Sequence, residues 1–107
     1  MGKMMVRYRV KPEFVAENER NIKQVFEQLA ATRPSGLRYV SFKLADGVSF
    51  VHIVSHEAAD DRSPLRELPA FKAFAAAVEQ RCDERPVATR LTEVGAYDAF
   101  EHRGGTS

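Results

Sequence analysis

Hydrophobic and polar positions alternate from Met4 to Val10, with Val6, Tyr8 and Val10 on one face and Met5, Arg7 and Arg9 on the other. A period of two predicts a first strand. The period then lengthens. Lys11-Pro12-Glu13 opens a helix, with Pro12 suited to the first helical position and Glu13 favourable at the positive end of the helix dipole. Phe14, Ile22, Val25, Phe26 and Leu29 recur at helical spacing as its apolar stripe, while Glu17, Glu19, Lys23 and Gln24 lie largely off it. Pro34-Ser35-Gly36 stops the helix.

Two strand-like runs follow, from Leu37 to His56, joined at Asp46-Gly47. Asp-Gly between β-rich runs predicts a type I′ hairpin turn with positive φ at both residues. Pairing Ala45 with Val48 sets the register. It puts Val40, Phe42 and Leu44 beside Val51 and Ile53, a plain core face. The other face gathers Tyr39, Ser41, Lys43, Phe50, His52 and Val54, apolar and aromatic with polar groups set into it, as ligand cavities are lined.

Glu57 to Arg62 predicts a surface loop, and Ser63-Pro64 caps a short helix through Glu67. Pro69 restarts a longer helix with Phe71, Phe74, Ala75, Val78 and Cys82 as its core stripe, ended by Asp83-Glu84-Arg85-Pro86. Val87 to Val94 is the expected last strand, with Gly95 at its end or at a bulge. Residues 1–100 form one expected domain, and residues 101–107 a frayed tail. The order β-α-β-β-α-β is the split-βαβ, ferredoxin-like pattern, an α+β fold with both helices on one face of an antiparallel sheet. The expected open face carries Tyr39, Phe50 and Val54, and a twofold homodimer is the economical way to cover it.

Composition then removes classes. A net charge of +1 with interleaved signs gives no reason to expect nucleic acid or an anionic membrane. No apolar run is long enough for a membrane span, and the first residues carry charge where a signal peptide needs an apolar core. One cysteine, Cys82, suits a reducing cytoplasm. No nucleophile, metal or phosphate motif accompanies the hairpin, so no cofactor is expected.

The segments Arg33-Pro34-Ser35-Gly36-Leu37-Arg38-Tyr39, Asp46-Gly47-Val48-Ser49-Phe50-Val51-His52, Leu65-Arg66-Glu67-Leu68-Pro69-Ala70-Phe71 and Leu91-Thr92-Glu93-Val94-Gly95-Ala96-Tyr97 carry a resemblance. With them the chain resembles the antibiotic biosynthesis monooxygenase-like proteins of the dimeric α/β barrel superfamily. The resemblance implies a closed dimer of ferredoxin-like sheets. It also implies cofactor-independent oxygenation of a small aromatic or phenolic molecule, or binding of such a molecule by a non-catalytic or stress-associated dimer. The haem-degrading branch resembles itself in an Asn, Trp and His set, and this chain has no tryptophan.

Within that frame His52 is the candidate base, since histidine titrates near neutral pH; the alternative is a hydrogen-bonded core histidine. Tyr39 is the candidate group that orients or protonates a substrate oxygen, or else an interface tyrosine. Arg7 and Arg9 would hold a carboxylate or phenolate if they face the cavity, and are solvated charges if they lie at the sheet rim. Ser41, opposite His52, predicts a cross-strand hydrogen bond. Phe50, Val54, Phe71 and Phe74 are the candidate apolar lining. His52 and His56 stand ~13 Å apart on a strand at ~3.3 Å per residue, too far for one metal.

Overall fold

The two periods resolve, in a computed structural model describing residues 2–57 and 64–98, into one antiparallel sheet and two helices. The strands are β1 (Gly2–Val10), β2 (Leu37–Lys43), β3 (Ser49–His56) and β4 (Cys82–Leu91). The helices are α1 (Val15–Thr32) and α2 (Pro69–Val78). The sheet order is β2-β3-β1-β4, with β2 and β4 at its edges. This is the α+β ferredoxin-like arrangement that the element order predicts. The expected tail over 101–107, most of the loop from Glu57 to Arg62, and the cap at Ser63 lie outside the described residues.

The hairpin register is the one the sequence gives: Tyr39 faces Val54, Ser41 faces His52 and Lys43 faces Phe50. Its turn is built differently. Only Gly47 has positive φ, at 79°, and its N–H closes a turn on the Leu44 carbonyl at 3.0 Å. Asp46 instead uses its carboxylate, accepting from the backbone N–H groups of Val48 and Ser49 and from the Ser49 hydroxyl. The Ser49 hydroxyl and these N–H bonds hold the Asp46 carboxyl below the usual carboxylate range.

Boundaries differ from the sequence reading at the start of α1 and at both ends of β4. Pro12–Phe14 forms a single 3₁₀ turn before α1 begins. At the other end of α1, Arg33 takes the left-handed conformation (φ 48°), which an arginine adopts at a cost that glycine would avoid. The last strand starts at Cys82, not Val87, because α2 stops at Val78 and one 3₁₀ turn (Glu79–Arg81) leads straight into β4. Pro86 is tolerated because β4 is an edge strand, and its pairing with β1 slips between Arg7↔Val87 and Arg9↔Glu84. Val94 and Gly95 lie beyond the strand.

The faces are the reverse of expectation. Phe50 is 2% exposed and His52 4%, both beneath the helices, where Tyr39 stacks on Phe26 of α1 at 5.2 Å. Tyr8, Val10, Val25, Phe50, Leu65, Leu68, Phe74 and Val78 form the core, with Tyr39 and Val54 packed against it. Burying one such side chain contributes roughly 1.5–3 kcal/mol. The face of Val40, Phe42, Val51 and Ile53, read as plain core, is the uncovered one, and Met5, Arg7, Val87, Thr89 and Leu91 extend it across β1 and β4. Alternation sorts residues into two sets; it does not say which set the helices meet.

Candidate functional site

His52 sits mid-β3, and every strand beside it supplies a polar partner. Tyr8, one row along on β1, brings its hydroxyl to 2.7 Å from Nε2. Ser41, directly opposite on β2, brings Oγ to 2.6 Å from Nδ1, the cross-strand bond its register predicts. The Tyr39 hydroxyl stands 2.9 Å from the same nitrogen. Asn18 of α1 donates from Nδ2 to the Tyr8 oxygen at 3.0 Å. The rings of Tyr8 and Tyr39 stack on the imidazole with centroids 5.3 and 5.8 Å away, and Phe74 meets it edge-on at 5.6 Å.

Burial sets the electrostatics. It lowers the His52 pKa from 6.5 to about 4, so the ring is neutral at neutral pH. It pushes Tyr39 up from 10.0 to about 12, against a Ser41 hydrogen bond that lowers it, and pushes Tyr8 up as well, against the bond from Asn18. All three groups are held in their uncharged forms. Cys82, opposite Val10 at the start of β4, is pushed up by burial and by Glu79 and Asp83, which gives no activated thiol.

A cleft of about 350 Å³ opens beside this network, where α1 ends and β2 begins. Phe26, Leu29, Pro34, Leu37 and Tyr39 line it together with Arg33. Its volume is within the range of small-molecule sites. Tyr39 belongs to both structures: it lines the cleft and its hydroxyl is bonded to His52. Arg33, which makes no ion pair among the described residues, sets a cationic side chain at this apolar cleft.

The structure thus brings together Tyr39, His52, Ser41 and Phe74, with Phe50 behind Tyr8 (5.7 Å), Phe71 beside Phe74 (6.2 Å) and Val54 against the core. It separates Arg7 and Arg9 from them. Both alternate with Tyr8 and lie on the uncovered face, where Arg9 pairs with Glu84 at 3.1 Å. The pocket expected beside the open face is therefore not where these aromatic groups are. Among the described residues, no three His, Cys, Asp or Glu side chains converge as metal ligands would.

Sequence reasoning missed Asn18, Tyr8 as a hydrogen-bonding group, Phe26 as a cleft wall, and Arg33. Asn18 had a signal: it occupies the stripe position between Phe14 and Ile22 and is fully buried. A polar residue at an apolar position demands a partner. Arg33 carried none, since its role depends on the left-handed end of α1.

No family model and no curated protein matches the chain. Solved structures do. The chain is similar to Rv0793 from Mycobacterium tuberculosis at 17% identity and TM-score 0.72, covering 89% of this chain and 96% of that one. A structure named antibiotic biosynthesis monooxygenase matches at 18% identity and TM-score 0.67, over 89% and 100% of the two chains. SnoaB, a cofactor-independent oxygenase from Streptomyces nogalater, matches at 20% identity and TM-score 0.66, over 89% and 94%. The fold is the one these structures share. At such identities the likeness concerns architecture, and residue roles rest on the geometry above.

Proposed function

We propose that this protein is a monooxygenase-like protein that binds a small aromatic or phenolic molecule in the cleft at the end of α1, and acts without a cofactor. One observation carries the reading: an apolar cleft of small-molecule size whose wall residue, Tyr39, is hydrogen-bonded to a buried His52. Similarity in fold to a structure named a cofactor-independent oxygenase supports it. In this reading Tyr39 meets the substrate oxygen, and His52 acts through Tyr39 as a positioning residue. A phenolic substrate with an acidic ring CH₂ would lose a proton, and its carbanion would react with dioxygen. The carbon becomes C=O, the second oxygen atom leaves as water, and the substrate supplies all four electrons.

The test is oxygen uptake by the purified protein with an anthrone-type phenol and no added cofactor. Uptake above the uncatalysed rate, lowered at least tenfold by Tyr39→Phe, is the expected result. Binding without uptake overturns the enzymatic reading. It leaves a second one, a protein that holds the molecule unchanged, which the engagement of both His52 nitrogens favours.

The uncovered sheet face supports a homodimer as part of the same proposal. Val87 is 62% exposed on it, and beyond β4 Val94 and Tyr97 are 98% and 95% exposed. Apolar surface of this kind marks an interface. Native mass spectrometry on the purified protein checks it, and a monomer at micromolar concentration would refute it.

A further inference from the structure

Five rings lie in one stack across the sheet, and the two tyrosines in it share one imidazole. Phe26 stacks on Tyr39 at 5.2 Å, Tyr39 on His52 at 5.8 Å, His52 on Tyr8 at 5.3 Å and Tyr8 on Phe50 at 5.7 Å. No step tilts the planes by more than 23°. Phe26 and Tyr39 line the cleft, while Tyr8 and Phe50 are each 2% exposed. Packing accounts for rings in this layer. It does not account for the Tyr8 hydroxyl, which phenylalanine would lack. That hydroxyl comes with a fully buried Asn18 whose Oδ1 has no partner among the described residues, a costly arrangement for volume alone.

The surroundings of that hydroxyl suit a group that gives up an electron. A phenol that loses one electron becomes a very strong acid, so a buried one needs a base to take its proton in the same step. Asn18 Nδ2 donates to the Tyr8 oxygen at 3.0 Å, which turns the Tyr8 proton towards Nε2 of His52 at 2.7 Å. A neutral imidazole that accepts at Nε2 carries its own proton on Nδ1. There the Ser41 and Tyr39 oxygens, at 2.6 and 2.9 Å, face the charge that a second ring proton would bring. Tyr39 lacks such a base, because the nitrogen it meets is already protonated. The chain has no tryptophan to compete as an electron donor.

We infer that Tyr8 is a redox-active tyrosine, with His52 Nε2 as its proton acceptor and the ring stack as the path of its electron to an oxygen-centred radical at the cleft. The Tyr8 O–H bond breaks and an Nε2–H bond forms, leaving a neutral tyrosyl radical beside an imidazolium. The electron leaves by way of Tyr39 and Phe26. The radical at the cleft takes it up with a proton from bulk solvent and becomes a hydroxyl compound. Tyr8 is oxidised by one electron and the cleft radical is reduced by one. The oxidising equivalent comes to rest beneath the helices, out of reach of solvent. A one-electron reductant of the ascorbate class then restores the phenol, and Nε2 returns the proton. Asn18 is the positioning residue that aims the Tyr8 proton. This redox role does not depend on the cleft turning over a substrate.

Photo-oxidation of the full chain at pH 7 by a ruthenium tris-bipyridyl complex with persulfate supplies a one-electron oxidant and needs no substrate. Tyr97→Phe removes the exposed tyrosine and leaves Tyr8 and Tyr39 as the only two. Electron paramagnetic resonance of this variant, frozen after the flash, should show a tyrosyl radical. Ring-deuterated tyrosine should narrow the signal, which separates it from radicals on Cys82 or methionine. Adding Tyr8→Phe, which keeps the ring and its packing, should lower the yield at least tenfold, whereas Tyr39→Phe should leave the same spectrum. The radical should also form more slowly in D₂O than in H₂O, since proton and electron leave together. His52→Phe should abolish it by removing the base. Absence of a tyrosyl radical, or an undiminished yield in Tyr8→Phe, overturns the inference without recourse to a variant that lacks the histidine. Equal rates in the two solvents overturn the role of Nε2.

Discussion

The two faces of this sheet are built from the same strands, residue by residue in alternation, and they meet opposite fates. Under the helices lie Tyr8, Phe50 and His52, nearly inaccessible, with polar groups bonded in a continuous series and held uncharged. On the other side lie Met5, Val40, Val51, Ile53 and Val87, with arginines between them, and no helix among the described residues covers them. Apolar content does not distinguish the two. Aromatic rings and short polar side chains mark the face that packs within the chain, because they fill volume and satisfy one another at fixed distances. Aliphatic residues interspersed with long charged ones mark the face left for something else, since arginine keeps its head in water while its stem lies on apolar surface.

The largest effect that tests this contrast is packing loss. Phe50→Ala should destabilise the fold by about 3–5 kcal/mol, the range for a buried phenylalanine that leaves a cavity. Val87→Ala, on the same sheet but 62% exposed, should change the stability of the single chain by less than ~0.5 kcal/mol, as surface substitutions do. Urea unfolding of both variants measures the difference. Comparable losses would mean that the outer face is packed as tightly as the inner one.

The next effect is in acid, and its sign follows from His52. In the unfolded chain the ring titrates near 6.5; in the fold it does so at about 4. Above pH 6.5 both states are neutral and the buried ring costs nothing through protonation. As the pH falls from 6.5 towards 4 the unfolded chain takes up the proton first, and stability should drop by about 3 kcal/mol across that window. His52→Phe should flatten the profile there. A wild-type profile flat between pH 6.5 and 4 would show that the ring can be charged where it lies, and the contrast of an uncharged inside with a charged outside would break.

How much of this was legible in the sequence follows the same division. Periodicity gave the strands, the helices and a hairpin register correct at every pair, because register depends only on the number of residues between the strands. It also grouped Tyr39, Ser41 and His52 as one face, which is why the histidine and its serine partner were visible. What it could not give was which face the helices choose, since that is settled by contacts between α1, α2 and the sheet rather than by any strand alone. The inversion moved Arg7 and Arg9 away from His52. Asn18 and Arg33 were lost for local reasons: one is a polar residue in an apolar stripe, the other the end of a helix in an unusual backbone conformation.

The smallest effect is the one that reports on the uncovered face. Arg9 and Glu84 lie 3.1 Å apart with side chains 43% and 57% exposed, across the β1–β4 pair. In water such a pair contributes ~0.2–1 kcal/mol and weakens with salt. Were a second copy laid over these strands, both charges would lose solvent, screening would fall, and removing one of them would strand the other. A double-mutant cycle with Arg9→Gln and Glu84→Gln, run at low and high salt, separates the two situations. The expected coupling is below ~1 kcal/mol and disappears with salt, because the pair sits where the β4 register slips and both side chains are about half exposed. In that case any partner on this face leaves the Arg9 end wet. A coupling above ~1.5 kcal/mol that resists salt would carry the dry interface across the whole sheet, and the two faces would then differ only in which molecule covers them.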